Sequence, residues 1–169
     1  RIVTMKALFI TIKELKRKSI FDGNLDSDKI IQFIEVAQDT EIQTYLGTKL
    51  YKKLQADIIG DTLTGDYKTL VDDYIKPMLV WYTQAAFIPY AAYQISNGGI
   101  YKHNSENATS VDQSEINSLA SHATETAEFY TQRFMDHMNY NSNLYPEYIS
   151  NQNDGMYPEK DVNFTGWVL

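Results

Sequence analysis

Apolar residues recur at helical spacing through much of the chain, and the longest such pattern runs from Asp28 to Tyr82. Side chains three or four residues apart lie on one face of a helix, so this spacing predicts helices. Gly47 and Gly60 interrupt the pattern, and a glycine commonly ends a helix because it adopts left-handed backbone without a Cβ penalty. Ser27 is a suitable first cap. The predicted helices span 27–46, 48–59 and 66–96.

A second pattern predicts a long final helix over 112–140, opened by a capping box of Ser110 and Gln113. Its apolar stripe reads Ile116, Leu119, Ala123, Ala127, Tyr130, Phe134 and Met138. Thr11 and Glu14 form a similar box before a short N-terminal helix. The polar stretch Ile100–Thr109 is compatible with a loop or a small hairpin.

The predicted helix 66–96 contains the most apolar stretch of the chain, Met78–Ile95, together with two prolines. Pro77 and Pro89 each remove a backbone donor, so we expect a kink or a break there. Polar residues also interrupt the stretch, which is therefore typical of a central core helix rather than of a membrane span.

The sequence predicts an all-α fold, a single-domain helical bundle over residues 1–140. Two long antiparallel helices, 66–96 and 112–140, would pack together, flanked by the short pair 27–46 and 48–59. From Asn141 the helical pattern stops, and residues 141–169 are predicted to form an extended, aromatic-rich C-terminal arm, not a separate domain. Such an apolar arm packs on its own domain, reaches a neighbouring subunit by pockets or strand addition, or stays disordered.

Composition narrows the functional classes. A chain of 169 residues with 43% hydrophobic residues has enough material for one buried core. The net charge of -7 disfavours a protein whose whole surface grips nucleic acid. Charge is uneven, because residues 1–60 carry ten basic and eight acidic residues (+2) and residues 61–169 carry five and fourteen (-9). Opposite charges on opposite faces would help a head-to-tail ring, although an ordinary solvated surface also explains them.

Candidate chemistry is sparse. With no cysteine in the chain, thiolate catalysis and cysteine-ligated metals are excluded. His103, His122 and His137 are the only histidines, and no Glu-x-x-His pair accompanies them. His122 falls beside the apolar stripe and is predicted to be a surface residue. We therefore expect no enzyme activity, no metal and no cofactor.

Two basic stretches raise an alternative. They are Lys13, Lys16, Arg17 and Lys18, and then Lys49, Lys52 and Lys53. A helix-turn-helix motif begins with a helix, a tight turn and a second helix, and residues 28–59 have this order with the turn at Gly47. The alternative function is therefore a DNA-binding packaging or regulatory factor that uses residues 28–59. The second helix lacks Arg, Asn or Gln at base-reading positions, and a solvated lysine face is the simpler interpretation.

The order of residues along the first helices also carries a resemblance. It comprises Phe33-Ile34-x-x-Ala37-Gln38, Tyr45-Leu46-Gly47-Thr48-x-Leu50-Tyr51-x-x-Leu54, Gly65-Asp66-Tyr67-x-x-Leu70 and Tyr74-Ile75-x-Pro77, with Asn104-Ser105-Glu106-Asn107 and Ala127-Glu128-Phe129-Tyr130 further on. From about Phe9 to about Tyr148 the chain resembles the helical head–tail connector (adaptor or head-completion) proteins of tailed bacteriophages and prophages.

This resemblance implies a virion protein, assembled in the bacterial cytoplasm, that forms a homo-oligomeric ring at the head–tail junction. The ring would lie between the portal and the tail or next ring, and would extend the DNA channel. Lys49, Lys52 and Lys53 would then face packaged DNA without reading its sequence. Aromatic residues dominate interface energetics, so the predicted partner contacts are Tyr145, Tyr148, Tyr157, Phe164 and Trp167.

Overall fold

The computed structural model describes residues 6–21, 25–91, 93–96, 99–102, 112–150 and 155–162. It confirms the all-α fold class, and the described strands form one small hairpin at the edge of the bundle. The elements are α1 (Ile12–Lys18), α2 (Ser27–Ala37), a first π segment (Gln38–Ile42), α3 (Gln43–Leu46), α4 (Thr48–Ile59), α5 (Gly65–Thr69), a second π segment (Leu70–Ile75), α6 (Lys76–Ala91), β1 (Tyr93–Ser96), β2 (Gly99–Lys102), α7 (Gln113–Asn141), a 3-10 turn (Ser142–Leu144) and α8 (Pro146–Ile149).

The two long helices α6 and α7 pack against each other along the centre of the bundle. Tyr82 of α6 bonds Thr131 of α7, with 2.9 Å between their hydroxyl oxygens. Nearer the start of α6, Tyr74 stacks on His137 at a centroid distance of 4.2 Å. Earlier residues of one helix therefore meet later residues of the other, and the predicted antiparallel packing is confirmed. Because α2 and α7 both cover α6, α6 is apolar on nearly all sides.

The second π segment explains how this helix passes Pro77. The proline lacks an N–H, and its ring crowds the carbonyl of the preceding turn. A π turn has i→i+5 bonding and is wider than an α turn. Because the π segment directly precedes Pro77, the helix accommodates the proline and continues without a break. At the other end, α6 stops at Ala91, two residues after Pro89, and β1 follows. The prediction of one helix over 66–96 is therefore wrong at its end.

Two predicted helix starts are shifted by local capping. Asp26, not Ser27, caps α2 and accepts a hydrogen bond from the N–H of Asp28 at 3.0 Å. The start of α7 is capped by Asp112 and Glu115, a complete capping box that replaces the predicted box of Ser110 and Gln113; residue 110 lies outside the described residues. Aspartate accepts from backbone N–H groups as well as serine does. The predicted box at Thr11 is confirmed.

The buried stripe of α7 differs from the predicted one at its first half. Leu119 is 53% exposed, because only a small satellite cluster of Ile88, Ile116 and Ala123 covers this part of the helix. Further along, Glu128 and Thr131 are buried together with the predicted apolar residues. The buried face is therefore wider and more polar than the apolar spacing indicates.

The compact domain continues past the predicted boundary at residue 140. After α7 the chain forms the 3-10 turn and then α8, and the core includes Tyr145 and Tyr148, which are 1% and 4% exposed. Tyr67 of α5 donates a hydrogen bond to the Glu147 carboxylate at 2.6 Å, which holds α8 against the bundle. The first part of the predicted arm is thus helical and belongs to the domain.

Candidate interaction surface

The C-terminal arm returns to the turn between α3 and α4, where it is held by hydrogen bonds that we call the arm clasp. The N–H of Thr48 donates to the carbonyl of Met156 at 3.0 Å, and the N–H of Met156 donates to the Thr48 hydroxyl oxygen at 2.9 Å. The N–H of Glu159 donates to the carbonyl of Thr44 at 2.9 Å. Of the three arrangements left open by the sequence, residues 155–162 adopt packing on their own domain.

Gly47 makes this close approach possible. Its backbone has φ +74° and ψ 155°, a conformation that side chains with a Cβ rarely adopt. A Cβ placed on Gly47 would lie 2.7 Å from Cδ of Pro158. Gly47 therefore ends α3, as the sequence predicts, and also provides the space into which the proline ring of the arm packs.

Two of the predicted contact residues are instead core residues. The Tyr145 hydroxyl group lies 2.9 Å from Nε2 of His137 and donates to the carbonyl of Asp66 at 3.3 Å. Burial, with a smaller effect of the Asp66 charge, raises the pKa of Tyr145 to about 12. Tyr148 is covered by Lys160 of the arm, whose Nζ lies 3.6 Å from the ring centroid. Both rings are enclosed by their own domain, so the prediction that they contact a partner is corrected.

Tyr157 is exposed beside the clasp, as a partner contact requires. It is 66% exposed, and the neighbouring Met156 is 41% exposed. Ile149, at the end of α8, is 64% exposed, and the following Ser150 accepts a hydrogen bond from Lys49 at the start of α4. We call Ile149, Met156 and Tyr157 the arm patch. The other two predicted contacts, Phe164 and Trp167, lie outside the described residues.

The lysines of α4 are placed unlike a DNA-reading face. Lys49 donates from Nζ to the carbonyl and hydroxyl oxygens of Ser150, at 3.1 Å and 3.0 Å. Lys53 forms an ion pair with Asp57 and lies over the ring of Tyr67, 4.7 Å from its centroid. Lys52 is exposed. The start of α4, which a recognition helix inserts into the major groove, is covered by the clasp.

A cleft opens on another side of the bundle, between the first π segment, α6 and α7. Its volume is about 380 Å³. It is lined by three alanines and by Thr40, Glu41, Tyr45, Tyr82, Thr124 and Glu128. The pKa of the Glu41 carboxyl is raised. Burial is the main cause, and the charge of Glu128 adds to it, whereas a hydrogen bond with Thr40 acts in the opposite direction. We call this the acidic cleft.

Comparison with known families places this geometry in a wider context. Residues 42–155 match a family described as a family of unknown function (DUF6712). The chain belongs to this family. The DUF6712 match includes the Gly47–Thr48 turn and the buried residues Tyr145 and Tyr148. It ends at Gly155, just before the clasp residue Met156. No curated protein and no solved structure matches the chain.

Other classes of site find little support in the described part of this DUF6712 protein. Within these ranges, no group of three or more His, Asp and Glu side chains is placed to hold a metal ion. The helices described here are all too short or too polar to cross a membrane. His122 is on the surface, as predicted.

Sequence reasoning missed the residues that form the clasp and the acidic cleft. The clasp joins backbone groups of Thr48, Met156 and Glu159, which every residue carries, and the Thr48 hydroxyl, whose distant partner no local pattern indicates. Glu128 lies directly beside the apolar stripe position Ala127, and that placement was the available sign that its carboxylate is buried. Nothing in the spacing pairs it with Glu41.

Proposed function

We propose that this protein is a structural subunit of the head–tail connector of a tailed bacteriophage or prophage. Copies would form a ring between the portal and the tail, extend the DNA channel and dock the next component. The protein would act in the virion, after assembly in the host cytoplasm, and would need no cofactor.

The observation that carries this proposal is the arm patch beside the clasp. Met156 and Tyr157 are exposed on the arm segment that backbone hydrogen bonds fix to the bundle, and Ile149 is exposed at the end of α8, next to Ser150, which accepts a hydrogen bond from Lys49. Exposed apolar groups held on a rigid support are typical of protein–protein contact sites. The resemblance supplies the partner class, and its Tyr45-Leu46-Gly47-Thr48 segment is the part of the chain that receives the arm.

In this proposal the lysines of α4 contribute less to DNA contact than their spacing in the sequence suggests. Lys49 and Lys53 bind groups of their own chain, so their charge is partly compensated before any DNA approaches. Lys52 is exposed, and together these lysines would supply only weak, non-specific attraction to phosphate.

The test is negative-stain electron microscopy of the purified protein at high concentration, with its native mass measured in the same buffer. We expect closed rings with a central hole. Ile149→Asp should abolish them, whereas Ile59→Asp should not. These two isoleucines end α8 and α4 and are 64% and 60% exposed, so the pair is matched in residue type, exposure and helix position.

As a second test, we expect the wild-type chain to bind the portal protein of the same phage, and Ile149→Asp, but not Ile59→Asp, to lose that binding. A wild-type chain that forms no ring and binds no portal contradicts the proposal. Tight, sequence-specific binding to duplex DNA that is lost in Lys49→Glu/Lys53→Glu would replace it with the DNA-binding function.

A further inference from the structure

The acidic cleft has the chemistry of a site for a cationic side chain. Its walls are largely apolar, formed by Ala37, Ala85 and Ala86 with the two tyrosine rings. Glu41 and Glu128 are the charged residues of its lining, which contains no Lys, Arg or His. The volume of about 380 Å³ falls within the range of natural binding pockets, roughly 300 to 1,000 Å³.

Burial makes these carboxylates sensitive to an incoming positive charge. Glu128 is only 6% exposed, and its charge acts on Glu41 across the cleft. Two carboxylates that share a partly desolvated site repel each other, and a cation placed between them relieves that repulsion. An ammonium or guanidinium group also provides hydrogen-bond donors for carboxylate oxygens.

The described chain carries a matching cationic surface on α1. Lys13, Arg17 and Lys18 are exposed, and none of them forms an ion pair within the ranges that the structure describes. Lys13 and Arg17 are four residues apart, so they lie on the same face of the helix. Ile20, which follows α1, is 68% exposed and offers an apolar group for the alanine walls.

The basic face and the acidic cleft lie on opposite sides of α6. Toward α1, Lys76 forms an ion pair with Glu14 at 2.9 Å, and Gln84 accepts a hydrogen bond from the N–H of Ile20 at 3.2 Å. Ala85, in the cleft wall, is nine residues after Lys76, or about two and a half helical turns. Complementary surfaces on opposite sides of a subunit join copies head to tail, and such contacts form a ring where the rotation between neighbouring copies closes.

We propose that copies of this chain associate head to tail, with the basic face of α1 of one copy bound in the acidic cleft of the next. This contact rests on the proposed ring function and names one of its subunit interfaces. Lys13 and Arg17 are the side chains that enter the cleft, and Glu41 and Glu128 receive them.

A charge-exchange experiment tests the contact. The cleft variant Glu41→Lys/Glu128→Lys and the helix variant Lys13→Glu/Arg17→Glu are each examined by sedimentation velocity and electron microscopy, alone and as an equimolar mixture. Each variant alone should associate at least about tenfold more weakly than wild type, since like charges then face each other. The mixture should regain assembly, because every cleft then finds an α1 of opposite charge.

Controls keep this result specific. Asp136→Lys, about two helical turns beyond Glu128 on the exposed side of α7, and Lys29→Glu, on the exposed side of α2, change the net charge at residues that line neither surface and should leave association unchanged. If the cleft variant loses its helical circular dichroism, Glu41→Gln/Glu128→Gln replaces it; this pair keeps side-chain shape and should still weaken association.

Retained assembly in both charge variants would overturn this contact while leaving the connector function intact. A wild-type chain that stays monomeric at every concentration would overturn it as well. Binding to the portal would then decide the connector function separately. Recovery in the mixture, with both controls unaffected, would establish the interface.

Discussion

Replacing Gly47 by alanine should destabilise the protein through two separable effects. The first is backbone strain, because φ +74° with ψ 155° is a region that essentially only glycine adopts. Holding alanine there costs about 1 to 3 kcal/mol. The second effect is steric, since the new Cβ would meet Cδ and Cγ of Pro158 at 2.7 Å and 2.8 Å.

The steric effect has a cost of similar size. Overpacking of this kind costs about 1 to 3 kcal/mol where neighbours cannot move. If the arm moves instead, the hydrogen bonds of Met156 and Glu159 are lost, at about 0.5 to 1.5 kcal/mol each. We therefore expect Gly47→Ala to lower the free energy of unfolding by about 2 to 6 kcal/mol.

Gly65→Ala is the matched control. Gly65 also has a positive φ, +58°, but a Cβ there would have no atom within 4 Å. Its cost should be backbone strain alone, about 1 to 2 kcal/mol. The assay is urea unfolding followed by circular dichroism. In Gly47→Ala/Pro158→Gly the ring is removed, so the double-mutant cycle should show a favourable coupling of about 1 kcal/mol or more.

The reasoning fails if Gly47→Ala is no more destabilising than Gly65→Ala, or if removing the Pro158 ring leaves the penalty unchanged. Limited proteolysis adds an independent readout, because a displaced arm should be cut within residues 150–160 before the bundle is degraded.

Three further outcomes follow from the packing. The Thr83 hydroxyl is buried without a hydrogen-bond partner in the described structure, so Thr83→Val should raise the melting temperature. Thr131→Val removes a hydroxyl bonded to Tyr82 and should lower the free energy of unfolding by about 1 to 3 kcal/mol. Destabilisation by both variants would contradict this reasoning. Burial lowers the pKa of His137, against a smaller opposite effect of the Asp66 charge. The stability that neutral His137 provides is therefore fully present above about pH 6.5 and is lost as the pH falls through its folded-state pKa. Urea unfolding at a series of pH values should show a smaller loss of stability at acid pH in His137→Gln than in the wild type. A chain ending after residue 140 loses two buried tyrosines and should melt early and bind a hydrophobic dye, whereas a chain ending after residue 150 should stay folded; equal melting would show that α8 adds nothing.

The main helices could be predicted because their signals are local. Side-chain spacing marked α4 and α7, and Gly47 marked the end of α3. The boundaries were less certain, since Asp26 and Ser27 are equally good caps and only the surrounding chain decides between them. The π segments escaped prediction because a turn widened by one residue leaves the apolar spacing almost unchanged.

The candidate interaction surface was harder to predict from the sequence than the helices were. Tyr145 and Tyr157 are the same residue type in the same aromatic-rich segment, yet one is 1% exposed and the other 66%. Aromatic residues are favoured in cores and in interfaces alike, so composition could not separate them. What separates them is the position of α8, which depends on contacts with α5 and α7 far away in the sequence.

The arm clasp also has a consequence for the order of events during synthesis. Thr48 and Met156 are 108 residues apart, and ribosomes add about 5 to 20 residues per second. The Gly47–Thr48 turn therefore emerges roughly 5 to 20 s before the segment that covers it. During that interval the start of α4 is not covered by the arm. The clasp closes only once residues 155–159 have been synthesised, so the arm is the last part of the described chain to reach its place on the bundle.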